Sequence, residues 1–273
     1  MNKHIVGFGS HKEQQIFLER HKPFFDRLGN LRKAQEMAFL REIDGLLMAD
    51  KAVFYLGRLC VEDFSEIMLL ASNGYGNASM KLLRGMYEKA VTARYLHQNP
   101  DKTEHFFDFY WVNAHKLVNS IEKTYGPDSV RLDRKEEIEK EYSKVREKFM
   151  ITDCKKCNSK KLNYTWSDLD FVSMAHKVES LRKFIIQAYY IPTLQLHPTP
   201  HSIARRLEVT ENSITFKHGA QREDADNVFF TSHELLLNVI DLQREHFDLK
   251  ELESQLKTCN QDFVEICKDT KKI

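Results

Sequence analysis

The sequence predicts an all-α fold, a multi-helix bundle that forms one domain over residues 1–273, and three observations support it. Glycine and proline number only 10 and 6, too few for a loop-rich β-sandwich or a disordered chain. Apolar residues recur at spacings of three and four along most of the chain, which is the period of a helix with one buried face. At 273 residues the chain is long enough to bury a core without disulfide or metal support.

The first hundred residues are predicted to be helical from Lys12 to about Asn99, with one clear break at residues 73–77 (NGYGN). We predict that Asn77 caps a helix that begins at Ala78. That helix is expected to end at Asn99, because a residue before proline avoids the helical conformation.

A further helix is predicted from about Asp101 to Tyr125, with its end at the Gly126-Pro127 pair. It carries a dense set of aromatic side chains, which predicts deep burial. These residues are Phe106, Phe107, Phe109, Tyr110 and Trp111.

Residues 128–166 are predicted to project from the domain as a charged helix and a loop. Residues 128–149 keep one narrow apolar stripe among charged positions, as an exposed helix does. Residues 152–166 lose this periodicity and gather lysines, so we predict a loop, with Ser167 or Asp168 capping the next helix.

The apolar face over residues 178–189 is predicted to end before Pro192, and residues 196–201 (LHPTPH) are predicted to be irregular. After Gly219 the helical period returns and continues to about Cys267.

One β signal is convincing, because apolar and polar residues alternate on both sides of a turn at Glu211-Asn212. A two-residue turn there would form a hairpin over residues 207–216. It would pair residue 209 with 214 and residue 207 with 216, with all four apolar side chains on one face.

Charge and cysteine content indicate the cellular compartment and exclude some classes of binding partner. The 41 Lys and Arg against 40 Asp and Glu give a net charge of +1, which excludes the basic footprint of a DNA-coating protein. Five cysteines, an odd number scattered along the chain, predict a reducing compartment. No stretch approaches the ~20 apolar residues that cross a bilayer, and no signal-peptide core is present, so a cytoplasmic protein without a membrane partner is expected.

Metal sites receive little support from the sequence. Cys154 and Cys157 have the spacing of half a zinc site, but a second half is missing. A reduced loop, a zinc site and a redox pair all stay open for these two thiols. A di-metal bundle needs Glu-x-x-His motifs on paired helices, and the sequence has none. No metal or other cofactor is therefore expected.

Arg84, Tyr87 and Glu88 fall on one strip of a predicted helix, because offsets of three and four bring side chains together. Two interpretations stay open. The Arg84–Glu88 pair is ordinarily a surface salt bridge. In a cleft, the planar guanidinium of Arg84 would instead hold a phosphate or carboxylate, and Glu88 would orient it.

His197 and His201 lie in a proline-fixed loop shortly before Arg205 and Arg206. This arrangement offers a titratable base beside two cations, which suits a site for an anionic substrate. Solvated or structural histidines are the alternative interpretation.

Residues 83–88 (LRGMYE), followed by 94–96 (RYL) and 99–100 (NP), resemble the signature of a widespread prokaryotic family of uncharacterised all-helical proteins. Residues 194–202 are similar to that family's second marked segment. The similarity covers roughly residues 51–242. The family is similar to the HEPN superfamily of helical bundles, many of which bind or cut RNA as dimers.

The resemblance implies a homodimer and a site at which Arg84, Glu88 and His197 are catalytic and Tyr87 contacts the substrate. HEPN ribonucleases carry an arginine and, after four to six intervening residues, a histidine on the same helix. No arginine of this chain has a histidine at that spacing. Metal-independent RNA cleavage would therefore need Arg84 and His197 to meet from separate helices.

Two classes of function stay open. The first is an RNA-binding protein in a stress or defence role, a metal-independent ribonuclease if it is an enzyme, in which His201, Arg205 and Arg206 join Tyr87 in contacting RNA. The second is a non-catalytic interaction or scaffolding module that binds a partner protein. Apolar and aromatic faces exceed what one bundle needs, which also favours a homodimer.

Overall fold

The computed structural model describes residues 9–43, 47–154 and 159–270, and 76% of these residues are helical, which confirms the predicted all-α class. In the described ranges the helices are α1 (His11–Arg20), α2 (Lys22–Phe39), α3 (Met48–Ser72), α4 (Gly76–Gln98), α5 (Thr103–Tyr125), α6 (Leu132–Val145), α7 (Phe171–Lys177), α8 (Glu179–Arg182), α9 (Ile191–Leu196), α10 (Pro200–Ala204), α11 (Arg222–Phe247) and α12 (Leu252–Thr270). The strands are β1 (Met150–Cys154), β2 (Ser159–Leu162), β3 (Leu207–Val209) and β4 (Ile214–Phe216).

These elements form two compact units. The larger unit contains the described residues up to His97 and from Met174 onwards, and the smaller unit contains residues 98–173. The prediction of a single domain stays a prediction, because compactness does not say whether the two units unfold together. Among the described helices, none is long and apolar enough to cross a membrane.

The larger unit is organised by the packing of α3 against α11 and of α2 against α12. Gly57 lets α3 approach α11 closely, since a Cβ there would lie 2.7 Å from Nε2 of Gln243. That buried amide nitrogen donates to the Val53 carbonyl at 3.1 Å, which satisfies one polar group inside the core. An apolar cluster of Val53, Ala93 and Leu242 lies beside it.

The beginnings of α4 and α11 lie side by side. A Cβ on Gly76 would lie 2.6 Å from the backbone nitrogen of Ala225 and from the carbonyl oxygen of Gln221. The side chain of Gln221 accepts a hydrogen bond from the Asn77 amide at 2.8 Å. The predicted start of α4 at Ala78 under an Asn77 cap is therefore wrong by two residues, because the cap comes from a distant segment. The predicted end before Asn99-Pro100 is confirmed.

The smaller unit confirms α5, which ends before Gly126 at a φ of 103°. Deep burial of its aromatic residues is wrong for most of them: Phe109 is buried, Tyr110 is 53% exposed, and Phe106, Phe107 and Trp111 are half-buried. Consecutive helical residues point in directions about 100° apart, so neighbouring rings cannot all face one partner.

The charged helix predicted over residues 128–149 contains α6, and its projection from the domain stays a prediction. Its apolar stripe is buried, and Val145 and Phe149 form a core with Phe109 and Val112 of α5. The expected loop that follows contains the antiparallel pair of β1 and β2, in which Met150 lies opposite Leu162. β1 has one charged residue, Asp153, and β2 has the consecutive lysines Lys160 and Lys161, so neither strand shows the apolar–polar alternation that indicates a hairpin.

Two predictions around α7 to α10 need correction. The cap of α7 is Asp170, whose carboxylate accepts from the Ser173 amide at 2.7 Å, in place of Ser167 or Asp168. Pro192 does not end the helical stretch, because it lies in the first turn of α9, where no intrahelical donor is required. Residues 200–204, expected to be irregular in part, form the short helix α10.

The second hairpin confirms its predicted register. Val209 pairs with Ile214 and Leu207 with Phe216, and the Thr210 amide donates to Ser213 at 2.8 Å across the two-residue turn. The apolar face of this hairpin is open to solvent, since Val209 and Ile214 are 68% and 69% exposed.

Candidate anion-binding site

The predicted strip on α4 is formed around Arg84. Its Nε lies 3.1 Å from Oε1 of Glu88, and its guanidinium carbon lies 4.7 Å from the centre of the Tyr189 ring. The Arg84 side chain is 20% exposed and that of Glu88 is 40% exposed. The guanidinium is therefore held between a carboxylate and an aromatic face at the edge of the surface.

We expect Arg84→Ala to lower the free energy of unfolding by about 1–2 kcal/mol, because it removes a partly buried ion pair and a cation–π contact together. Arg58→Ala is a matched control on α3, where the Arg58–Glu62 pair has the same spacing, a distance of 3.8 Å and greater exposure. That control should cost less than about 0.5 kcal/mol. Equal losses for the two variants in urea unfolding would show that the Tyr189 contact adds nothing.

Tyr87 has a structural position. Its side chain is 0% exposed, its hydroxyl donates to the Leu181 carbonyl at 3.1 Å, and burial raises its pKa to about 12. Tyr87 thus joins α4 to α8 beneath the surface.

His197 follows the end of α9, and His201 lies in the first turn of α10, both with exposed side chains. Among the described residues, no hydrogen bond or ion pair joins either imidazole to Arg84 or Glu88. The structure thus unites Arg84 with Glu88 and does not link His197 to them.

Arg205 and Arg206 instead lie at a cavity of about 260 Å³, which we call the basic cavity. Its lining cations are Arg205, Arg206, Lys217 and Arg222. The loop from α10 to β3, the end of β4 and the start of α11 bring these side chains together.

Two of these cations are already paired with carboxylates. Arg205 forms a short ion pair with Asp224, and Arg222 contacts both carboxylate oxygens of Glu13 at 2.7 and 2.9 Å. The hydrogen bonds from Arg222 hold the pKa of the Glu13 carboxyl below its ordinary value.

The other two cations have no carboxylate partner among the described residues. Arg206 donates to the Lys217 carbonyl at 2.7 Å, and the Lys217 ammonium makes no ion pair there. Glu223 is the one lining carboxylate for which the described residues supply no ion pair. Outside these ion pairs the lining therefore has two cations and one carboxylate, a net charge of +1.

Backbone donors add to this positive character. The first internal hydrogen bond of α11 runs from the Ala225 amide to the Gln221 carbonyl at 2.9 Å. The amides of Arg222, Glu223 and Asp224 precede it, so the helix supplies no acceptor for them. They lie at the positive end of the helix dipole, which attracts anions.

Two buried polar atoms at the basic cavity also lack partners. Gln195 is 7% exposed, and its Nε2 has no hydrogen-bond partner among the described residues. The same holds for Oδ1 of Asn77, and both residues line the cavity. A free donor and a free acceptor in one cavity favour a ligand that carries both kinds of group.

Sequence reasoning found only part of this site. Arg205 and Arg206 were expected at a substrate, whereas Gln195, Lys217 and Arg222 carried no spacing signal, since they come from three separate elements. Cys157, with Lys155, Lys156 and the side chain of Cys154, lies outside the described residues, and its three interpretations stay predictions. In the described part of the chain, no group of three or more His, Cys, Asp or Glu side chains is placed to hold a metal ion.

Comparison with known proteins adds one finding. The model of a family of unknown function, DUF5677, matches residues 50–214, which include Asn77, Gln195, Arg205 and Arg206 of the basic cavity. No curated protein and no solved structure matches the chain.

Proposed function

We propose that this chain, which belongs to the DUF5677 family of unknown function, binds single-stranded RNA on the surface around the basic cavity. One observation carries the proposal: an exposed aromatic ring lies directly beside uncompensated cations. Phe216 is 50% exposed, and the guanidinium carbon of Arg206 lies 5.1 Å from the centre of its ring. His218 lies 5.5 Å from the same ring.

This combination suits single-stranded nucleic acid. Such proteins bind phosphates in a positive groove and stack bases on exposed aromatic side chains. Phe216 would provide the stacking surface, while Arg206 and Lys217 would contact phosphates. Residues 83–88 and 194–202 resemble an uncharacterised helical family that is itself similar to the RNA-directed HEPN superfamily, and on that resemblance we propose RNA over DNA as the ligand.

The contacts favour binding over cleavage. A general base must lie within hydrogen-bond reach of the proton that it removes, and it works best beside a group that orients it. His197 has an exposed side chain with no such partner among the described residues. We therefore propose an RNA-binding role that does not depend on His197 chemistry.

Fluorescence anisotropy with a labelled single-stranded RNA tests the proposal. Phe216→Ala should weaken RNA binding by roughly 5- to 100-fold, because it removes the ring on which one base would stack. Lys217→Ala should reduce the slope of log affinity against log salt by about 0.7, the contribution of one phosphate on a single strand.

Matched controls lie in the smaller unit. Tyr164 is 79% exposed and Lys140 is exposed on α6, so Tyr164→Ala and Lys140→Ala repeat the same changes elsewhere. If the controls weaken binding as much as the two variants do, the surface around Phe216 is not the RNA site.

The alternative is a protein-interaction module, favoured by the exposed face of Val209 and Ile214 on the same hairpin. Apolar residues exposed together are typical of surfaces that bind other proteins. An absence of RNA binding by the wild-type protein would favour this alternative.

A further inference from the structure

We propose that the basic cavity is a binding site for a phosphomonoester: the terminal phosphate of an RNA or the phosphate of a free sugar phosphate. The RNA source rests on the proposed function, whereas the sugar phosphate does not. Both sources present a phosphate group with three non-bridging oxygens and a sugar hydroxyl close to it.

The donors at the cavity exceed what an internal RNA phosphate needs. Three amides at the start of α11 have no backbone acceptor among the described residues, and the start of α4 lies against them at Gly76. An internal phosphodiester has two unbridged oxygens and one negative charge. A phosphomonoester carries about −1.5 to −2 charges and three strong acceptor oxygens, so it uses these donors more fully.

The buried side chain of Gln195 supports a bound phosphate independently of the helix start. Its side chain is more than nine-tenths buried, lines the cavity, and leaves Nε2 without a partner among the described residues. A buried amide that lacks a partner is costly, and a charged acceptor in the cavity would remove that cost.

Asn77 indicates what accompanies the phosphate. Its Oδ1 is a buried acceptor with no partner in the described part of the chain, and it lines the same cavity as Gln195. An acceptor needs a donor, and a ribose hydroxyl next to a phosphate supplies one. The pair of free groups therefore fits a ligand that carries a hydroxyl donor beside its anionic oxygens, as a sugar phosphate does.

Size and charge agree with this ligand. A cavity of about 260 Å³ is slightly smaller than the pockets that hold drug-sized molecules, and it suits a phosphate with its sugar. Arg206 and Lys217, which have no carboxylate partner in the described part of the chain, would offset the charge of a dianion, while Asp224 is already paired with Arg205. The carboxylate of Glu223 opposes binding.

The test compares three probes on the full chain. Two are labelled RNA oligonucleotides of one sequence, with either a 5′-phosphate or a 5′-hydroxyl, measured by anisotropy. The third is ribose 5-phosphate, measured by calorimetry. We expect the phosphorylated RNA to bind roughly 10- to 100-fold more tightly than the hydroxyl form, and ribose 5-phosphate to compete with it.

Variants at the cavity separate a built site from general attraction. Gln195→Met keeps the side-chain size but removes the donor, so the advantage of the phosphorylated RNA should fall below about twofold, with binding of the hydroxyl form unchanged. Glu223→Gln changes an exposed side chain and should tighten binding of both phosphate probes by several-fold and that of the hydroxyl RNA by less, whereas general attraction would tighten both RNAs equally. This second variant keeps the test decisive if Gln195→Met does not fold.

The outcomes distinguish this proposal from the proposed function. Equal affinity for the two RNAs, with no binding of ribose 5-phosphate, overturns the phosphomonoester site and leaves RNA binding in place. Binding of ribose 5-phosphate that is lost in Gln195→Met, without any RNA binding, supports the site and removes the RNA function. An affinity unchanged by both variants overturns the assignment to this cavity.

Discussion

Phe229→Ala should lower the free energy of unfolding by about 3–5 kcal/mol, the usual cost of emptying a buried aromatic position. Phe229 is 0% exposed, and its ring centre lies 5.7 Å from Phe17, 4.8 Å from Phe24 and 4.6 Å from His21. Phe17 lies in α1 and Phe24 in α2, and His21 lies between these two helices, so the substitution weakens a cluster through which α1, α2 and α11 pack. Tilted and edge-on ring pairs add about 0.5–1.5 kcal/mol each beyond area burial.

Phe230→Ala is the matched control, because Phe230 is the next residue and is only half-buried. Urea unfolding followed by circular dichroism should show a clearly smaller loss for Phe230→Ala. Similar losses would contradict the packing described for the start of α11.

Acid should destabilise the protein between about pH 6.5 and pH 4 through His233, by about 3 kcal/mol in total. His233 is 2% exposed, and burial lowers its pKa from 6.5 to about 4. Its ring lies among Phe24, Phe263 and Phe64, at centre distances of 5.2, 5.0 and 6.3 Å. Its Nδ1 has no hydrogen-bond partner among the described residues.

The direction of the pH dependence is set by the state of the protein, folded or unfolded, in which His233 binds its proton more readily. In the unfolded chain the imidazole binds a proton near pH 6.5, whereas in the folded protein it stays neutral down to about pH 4. Within this window the unfolded state holds more protons, so stability falls as the pH falls, by about 1.4 kcal/mol per pH unit at most. Above about pH 6.5 the imidazole is neutral in both states, so His233 adds no pH dependence to the free energy of unfolding. The nearby Arg27–Asp262 pair, at 3.5 Å, is neutral overall.

Urea unfolding across this pH range measures the effect. His233→Leu should remove most of the slope, and the exposed His176→Leu should leave it unchanged. Burial also lowers the pKa of His246, which is expected to keep a smaller slope of the same sign in the His233 variant. A slope that His233→Leu does not change would show that His233 is not the acid-sensitive group.

The fold class and several boundaries could be predicted from the sequence because they depend on neighbouring residues. The scarcity of breakers fixed the helical class, Gly126 ended α5, and alternation around Glu211-Asn212 gave the register of β3 and β4. Helix boundaries were predicted wrongly where they depend on a residue far away in the sequence. α4 begins at Gly76 because the side chain of Gln221, 144 residues away, accepts a hydrogen bond from the Asn77 amide.

For the candidate site, the sequence by itself determined the helical scaffold, the Arg84–Glu88 pair and the nomination of Arg205 and Arg206. These inferences rest on spacing within one helix or on charge within one loop. Only the tertiary structure decided that Gln195, Lys217 and the start of α11 share one cavity, and that His197 lies without a link to Arg84. Side chains far apart in the chain meet through packing of whole helices, which no local spacing records.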